Sequence, residues 1–126
     1  MRTILAVALG GAVGSVARYL MMGWVARLAG TGFPWGTLAV NLAGAVAMGA
    51  LVEAAGGRWA PSPEVRALLT VGVLGGFTTF STFSLDAAQL LQRGDTGLAL
   101  AYVLASVVLC VGGLFLGLVL TKAVVG

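Results

Sequence analysis

The chain contains no histidine, a single cysteine (Cys110) and only four acidic residues among 126. Without histidine and with one thiol, a zinc site of the usual nitrogen and sulphur ligands is excluded. One cysteine leaves no intrachain disulfide. Set in an apolar run, Cys110 reads as a small packing residue. Charged residues make up 9% of the chain, against about 25% in soluble domains. The seven basic residues are scattered, so there is no nucleic-acid-binding patch. The four acids, Glu53, Glu64, Asp86 and Asp95, fall near the ends of apolar stretches or in the connectors. None is placed at mid-depth to carry a proton or bind an organic cation. The sequence carries no nucleophile–base pair, metal-ligand cluster or phosphate loop, and the chain is read as not an enzyme.

Apolar residues dominate what is there: 60% are hydrophobic and the mean hydropathy is +1.06. A domain this short leaves much of its surface exposed and could not hide so many apolar groups from water. The solvent is therefore lipid, and the expected fold is an all-α integral membrane protein of one four-span domain. Met1-Arg2-Thr3 before an apolar run has the look of a secretory leader. The run continues past Arg18 to Ala26, however, so it is expected to be a span.

A helix needs roughly 20 apolar residues to cross the hydrocarbon core. Charges divide the chain into such lengths, at about 3–26, 35–52, 65–91 and 97–121. Arg18 alone interrupts the first span, and the turn Gly30-Thr31-Gly32-Phe33-Pro34 precedes the second. Short connectors join the rest, Gly56 to Pro63 and Gln92 to Asp95. Small residues let helices approach closely in lipid. Gly10 and Gly14, Ala43 and Ala47, and Gly113 and Gly117 supply them at a spacing of four. Four thin helices make a poor pore, so an oligomer is expected. Lys and Arg bias sets orientation. One side would hold Arg2, Arg58, Arg66 and Lys122, the other Arg27 and Arg93, with Arg18 in or near the membrane. So weak a bias permits insertion both ways round.

The third span contains Gly75-Gly76-Phe77-Thr78-Thr79-Phe80-Ser81-Thr82-Phe83-Ser84, with two adjacent glycines and five hydroxyls in a membrane segment. A glycine pair weakens a helix. A break there frees backbone carbonyls that something must satisfy in lipid. Interrupted helices are where membrane proteins build ion sites, and freed carbonyls suit a hard cation. Beyond the break, Phe80 and Phe83 share one helical face, and Ser81 and Ser84 a neighbouring one. Aromatic edges carry partial positive charge. With hydroxyl donors and no carboxylate near, this half suits a small anion. The bland alternative is hydroxyls bonded back to their own helix and phenylalanines that only pack. Asn41 in the second span is interhelical glue or a pore donor. Arg18 is a functional charge or snorkels to the interface. Tyr102 and Ser106, four apart on the fourth span, either complete a polar lining or pack.

Gly10 through Tyr19, Gly36 through Asn41 with Gly44, and Gly75 through Phe83 together resemble the motifs of the fluoride channel family known as Fluc or CrcB. Gly10-Gly11-Ala12-Val13-Gly14-Ser15-Val16-Ala17-Arg18-Tyr19 resembles its first-span motif. Gly36-Thr37-Leu38-Ala39-Val40-Asn41 with Gly44 resembles the second, and Gly75 through Phe83 resembles its third-span signature. The resemblance implies an antiparallel, dual-topology homodimer in the inner cell membrane, with two fluoride pores. It implies a structural sodium ion at the dimer centre, not transported, held by the backbone carbonyls of Gly75 and Thr78. Phe80 and Phe83 would line the pores, and Asn41 would donate to fluoride and hold the pore together. Thr37, Ser81, Ser84, Tyr102 and Ser106 would form the polar lining, with Arg18 in the vestibule or at the interface. Cys110 falls one helical turn after Ser106, where some relatives carry a hydroxyl. The implied function is passive, selective fluoride export that lowers fluoride toxicity. The rival readings are a small-multidrug-resistance-type transporter, which needs a carboxylate in the first span, and a structural membrane subunit without transport of its own.

Overall fold

The computed structural model describes residues 1–125 and contains four helical spans. Helix α1 covers Arg2–Ala29 and α2 covers Trp35–Gly56. The third span is composite: α3 (Pro63–Ala67), a π-helical segment (Leu68–Leu74), α4 (Gly75–Phe77) and α5 (Phe80–Gln92). Helix α6 (Thr96–Val125) is the fourth. Each of the four is long and apolar enough to cross a membrane.

Local chemistry explains the ends. Gly30 follows α1 with φ 81 and donates its N–H to the Ala26 carbonyl at 2.9 Å. A left-handed residue past a helix end favours glycine. Ser62 caps α3 by accepting the Val65 N–H at 3.3 Å, and Pro63 follows at the first helical position.

Two sets of helices pack most closely. Helix α2 lies along α6, and α1 lies along the π-helical segment and α4. Both contacts run through glycine. A Cβ on Gly14 would meet the Val73 carbonyl, and one on Gly10 the Leu68 carbonyl. Across the other pair, a Cβ on Gly117 would meet the Val46 carbonyl and one on Gly49 the Leu114 carbonyl. The first- and fourth-span glycine pairs are thus buried at helix crossings, as small residues are in lipid. The second-span reading differs: Ala43 and Ala47 are exposed, and Gly44 and Gly49 make the close contacts instead. Nothing in the composition of Leu68–Leu74 marks it as π-helical, a conformation that is rare and often found at functional sites.

A small apolar cluster sits at the end where α2 and α6 begin and α5 finishes. Leu38, Leu90, Ala99 and Tyr102 are buried there, with Phe33, Phe83 and Ala87 against them. Phe33 meets Tyr102 edge to face, with ring centroids 5.5 Å apart. Arg93 ties the two connectors at this end. Its Nη2 donates to the Gly32 carbonyl and pairs with Asp95, both at 3.1 Å. Elsewhere large apolar side chains face outward, Leu9, Val13, Val16 and Leu20 on α1 among them, as a hydrocarbon solvent allows.

Candidate functional site

The third span changes conformation at two threonines. Helix α4 ends at Phe77; Thr78 (φ −93, ψ 157) and Thr79 (φ −151, ψ 122) are extended; helix resumes at Phe80. The glycine pair read as the weak point is itself helical. Gly76 serves close approach instead: its Cβ position lies against the Gly11 carbonyl of α1. The interruption follows one turn later, at β-branched residues that tolerate an extended backbone.

Asn41 holds it there. Its Oδ1 accepts the Thr79 N–H at 2.8 Å, and its Nδ2 donates to the Thr79 carbonyl at 3.0 Å. Thr79 in turn caps α5, its Oγ1 accepting the Thr82 N–H at 3.1 Å. These bonds have a consequence for two carbonyls. In an uninterrupted α-helix the Thr79 N–H would close onto the Gly75 carbonyl, and the Thr82 N–H onto the Thr78 carbonyl. Both donors are committed elsewhere, so Gly75 and Thr78 lose their helical partners. The Thr78 N–H and hydroxyl both go to the Leu74 carbonyl, at 3.0 and 2.9 Å.

Beside the interruption lies a groove of about 400 Å³, walled by α2, α5 and α6. Asn41 and Met48 line it from α2, Phe80 and Phe83 from α5, Ser106 and Cys110 from α6. The two phenyl rings are 5.4 Å apart, and Phe83 stands 5.2 Å from the Tyr102 ring. Phe80 is 79% exposed, so the groove is open sideways in a single chain. Ser106 is 7% exposed, and its Oγ is buried with no partner among the described residues. A buried hydroxyl without a partner is uncommon and calls for an explanation.

The remaining residues singled out in the sequence lie apart from the groove. The Thr37 and Tyr102 hydroxyls both donate to Oδ2 of Asp86, at 2.6 and 3.1 Å. Neither lines the groove. Thr37 and Asp86 face a second cavity of about 200 Å³ at the connector end, with Gln89 and Arg93. Asp86 was given no role by sequence reasoning. The available signal was that it is the one acid between Val65 and Leu91. Ser84 is exposed and its hydroxyl returns to the Phe80 carbonyl at 2.9 Å, and Ser81 is exposed with its Oγ 3.3 Å from Thr79 Oγ1. Arg18 is half-buried on α1, outside the groove, with its Nε buried and unpartnered among the described residues.

Four apolar spans, one of them interrupted beside a groove lined by Asn41, Phe80, Phe83 and Ser106, define a multi-pass membrane protein. Residues 5–118 match the family described as CrcB-like protein, Camphor Resistance (CrcB), and the chain belongs to that family. Relatives extend the match over nearly the whole length. A protein of Rhodospirillum centenum named fluoride-specific ion channel FluC is 55% identical over 125 residues, 99% of each chain. One of Agrobacterium fabrum with the same name is 55% identical over 122 residues, 97% of this chain and 98% of that one. Another of Geobacter sulfurreducens is 53% identical over 122 residues.

Proposed function

We propose that the chain forms a fluoride-selective channel that lets fluoride leave the cell passively, lowering its toxicity. The observation that carries this reading is the Ser106 hydroxyl, buried and unpartnered in a groove walled by Phe80, Phe83 and Asn41. A hydroxyl with a free proton, phenyl edges of partial positive charge and an amide are donors for a small anion. Asn41 fits a double role: one Nδ2 proton holds Thr79, and the second remains for a passing ion. Selectivity over chloride follows from a narrow, partly dehydrated path that rewards short hydrogen bonds. The fluoride channel names of relatives more than half identical support the ion assignment.

The proposed assembly is an antiparallel, dual-topology homodimer in the inner cell membrane, with two pores. The sideways-open groove and the exposed Phe80 support a second chain as its missing wall. The carbonyls of Gly75 and Thr78, deprived of helical donors, fit a structural sodium ion, since a hard cation prefers oxygen ligands. Such an ion would supply fixed positive charge at the interruption. The chain's own part is to aim those carbonyls, which Asn41 and the Thr79 cap do. Arg18 is assigned to the vestibule or the dimer interface, where its charge would draw anions.

The test is fluoride efflux from proteoliposomes of the purified protein, with potassium ionophore to dissipate charge and chloride as control. Fluoride efflux far above chloride efflux is expected. No fluoride efflux, or equal chloride efflux, overturns the proposal.

A further inference from the structure

We infer that Cys110 is a capture site for thiophilic metal ions and that a soft cation bound there closes the groove to anions. Cys110 is the only thiol in the chain. It is half-buried and lines the groove one helical turn beyond Ser106 on α6. Ser106 supplies the independent sign that this wall meets a ligand: the residue lines the same groove, and its hydroxyl is buried with no partner among the described residues. A solute that reaches Ser106 passes within a turn of the sulphur. Met48 brings a second sulphur to the same groove from α2. Thiol and thioether sulphur are soft ligands that select soft metals over the hard cations of the cell. Among the residues facing the groove neither Lys nor Arg is present to repel a cation, and no carboxylate competes for it.

The capture step with mercuric chloride balances without redox change. The Cys110 S–H bond and one Hg–Cl bond break, an S–Hg bond forms, and the proton and chloride leave to water. The consequence for flux rests on the channel reading above. Capture itself does not.

The experiment uses the purified protein in proteoliposomes. Fluoride efflux is measured before and after mercuric chloride at equal molarity with the chain, and the adduct is read by intact mass. Expected are one mercury per chain, loss of most of the efflux, and restoration of both by excess dithiothreitol. Cys110→Ser, compared with its own untreated rate, is expected to gain no mercury and lose no efflux. A full adduct with unchanged efflux overturns closure of the groove. The absence of an adduct on the folded protein overturns capture. Equal inhibition of Cys110→Ser overturns the assignment to this sulphur. If the untreated protein shows no fluoride efflux, the channel reading fails and closure with it, while the mass measurement still decides capture.

Discussion

Asn41 and Thr79 are joined by two hydrogen bonds, side-chain amide to peptide, at 2.8 and 3.0 Å. The pair imitates one rung of a β-ladder between residues 38 positions apart. Its effect is to take the Thr79 peptide out of the third-span helix and still leave it satisfied. In an apolar surrounding each backbone group otherwise carries a desolvation penalty.

Asn41→Ala is therefore expected to destabilise the protein by about 1–3 kcal/mol for each backbone group left unsatisfied. Thr79 is only 9% exposed, so lipid or water offers little substitute. Asn41→Asp keeps the acceptor for the Thr79 N–H but loses the donor to its carbonyl and adds a buried carboxylate, so it too should unfold below wild type. Thermal unfolding in detergent gives the ranking. If alanine unfolds at the wild-type temperature, the bonds do not hold the interruption.

The interruption also shows where sequence reasoning was sufficient and where it was not. Four spans followed from where Arg, Lys, Asp and Glu fall, because charge in lipid is costly whatever the neighbours do. That the third span was special followed from its hydroxyls. Its extended residues could not be located, because Gly75-Gly76 is the weaker local sequence. The residues displaced are Thr78 and Thr79, and the cause is Asn41 on another helix. The same holds for Asp86. Its bonds to Thr37 and Tyr102 span 49 and 16 positions and exist only once α2, α5 and α6 have packed. The π-helical turns of Leu68–Leu74 carry no residue signature at all.

Helix contact through glycine makes a second prediction. Gly14→Ala would drive a methyl group into the Val73 carbonyl, and Gly117→Ala into the Val46 carbonyl. Neither neighbour is a movable side-chain end, so each should cost about 1–3 kcal/mol, as overpacking does. Gly112→Ala is the control on the same helix, since no atom lies within 4 Å of its Cβ position. Alanine favours a helix over glycine, so comparable losses at Gly112 and Gly117 would show that assembly, not this crossing, governs the effect.

A third prediction concerns the Asp86 carboxylate, which faces the second cavity at the connector end. Thr37 and Tyr102 both donate to one oxygen of Asp86, and hydrogen bonds to a charged group are worth about 1.5–3 kcal/mol. The two donors spread the negative charge that would otherwise repel an anion. Thr37→Val with Tyr102→Phe should then slow fluoride efflux by more than the product of the single effects. Double-mutant analysis of the rates tests this coupling. Independent effects would separate Asp86 from conduction.

Sodium removal gives a fourth. If the Gly75 and Thr78 carbonyls hold a cation, replacing sodium by N-methylglucamine to trace levels should abolish fluoride efflux without any sodium having been carried. The side-chain replacement Thr78→Ser keeps both the carbonyl and the hydroxyl bond to Leu74, so its sodium requirement should match wild type. Efflux that persists after thorough removal would free those carbonyls from a cation-holding role.

Ser106 separates function from stability most cleanly. Most buried hydroxyls are paired, and replacing one by hydrogen costs the bond it made, about 1 kcal/mol in typical cases. Ser106 Oγ makes none among the described residues. Ser106→Ala should consequently leave the unfolding temperature unchanged or raise it, because an unpaired polar atom is removed from an apolar wall. Fluoride efflux should fall, because a passing anion loses a donor at the point where its hydration is being stripped. Ser106→Thr retains the hydroxyl and adds only a methyl group, so it should recover more of the rate than alanine does. A variant that is both less stable and fully active would reverse this order and show the hydroxyl to be a packing element with a partner of its own.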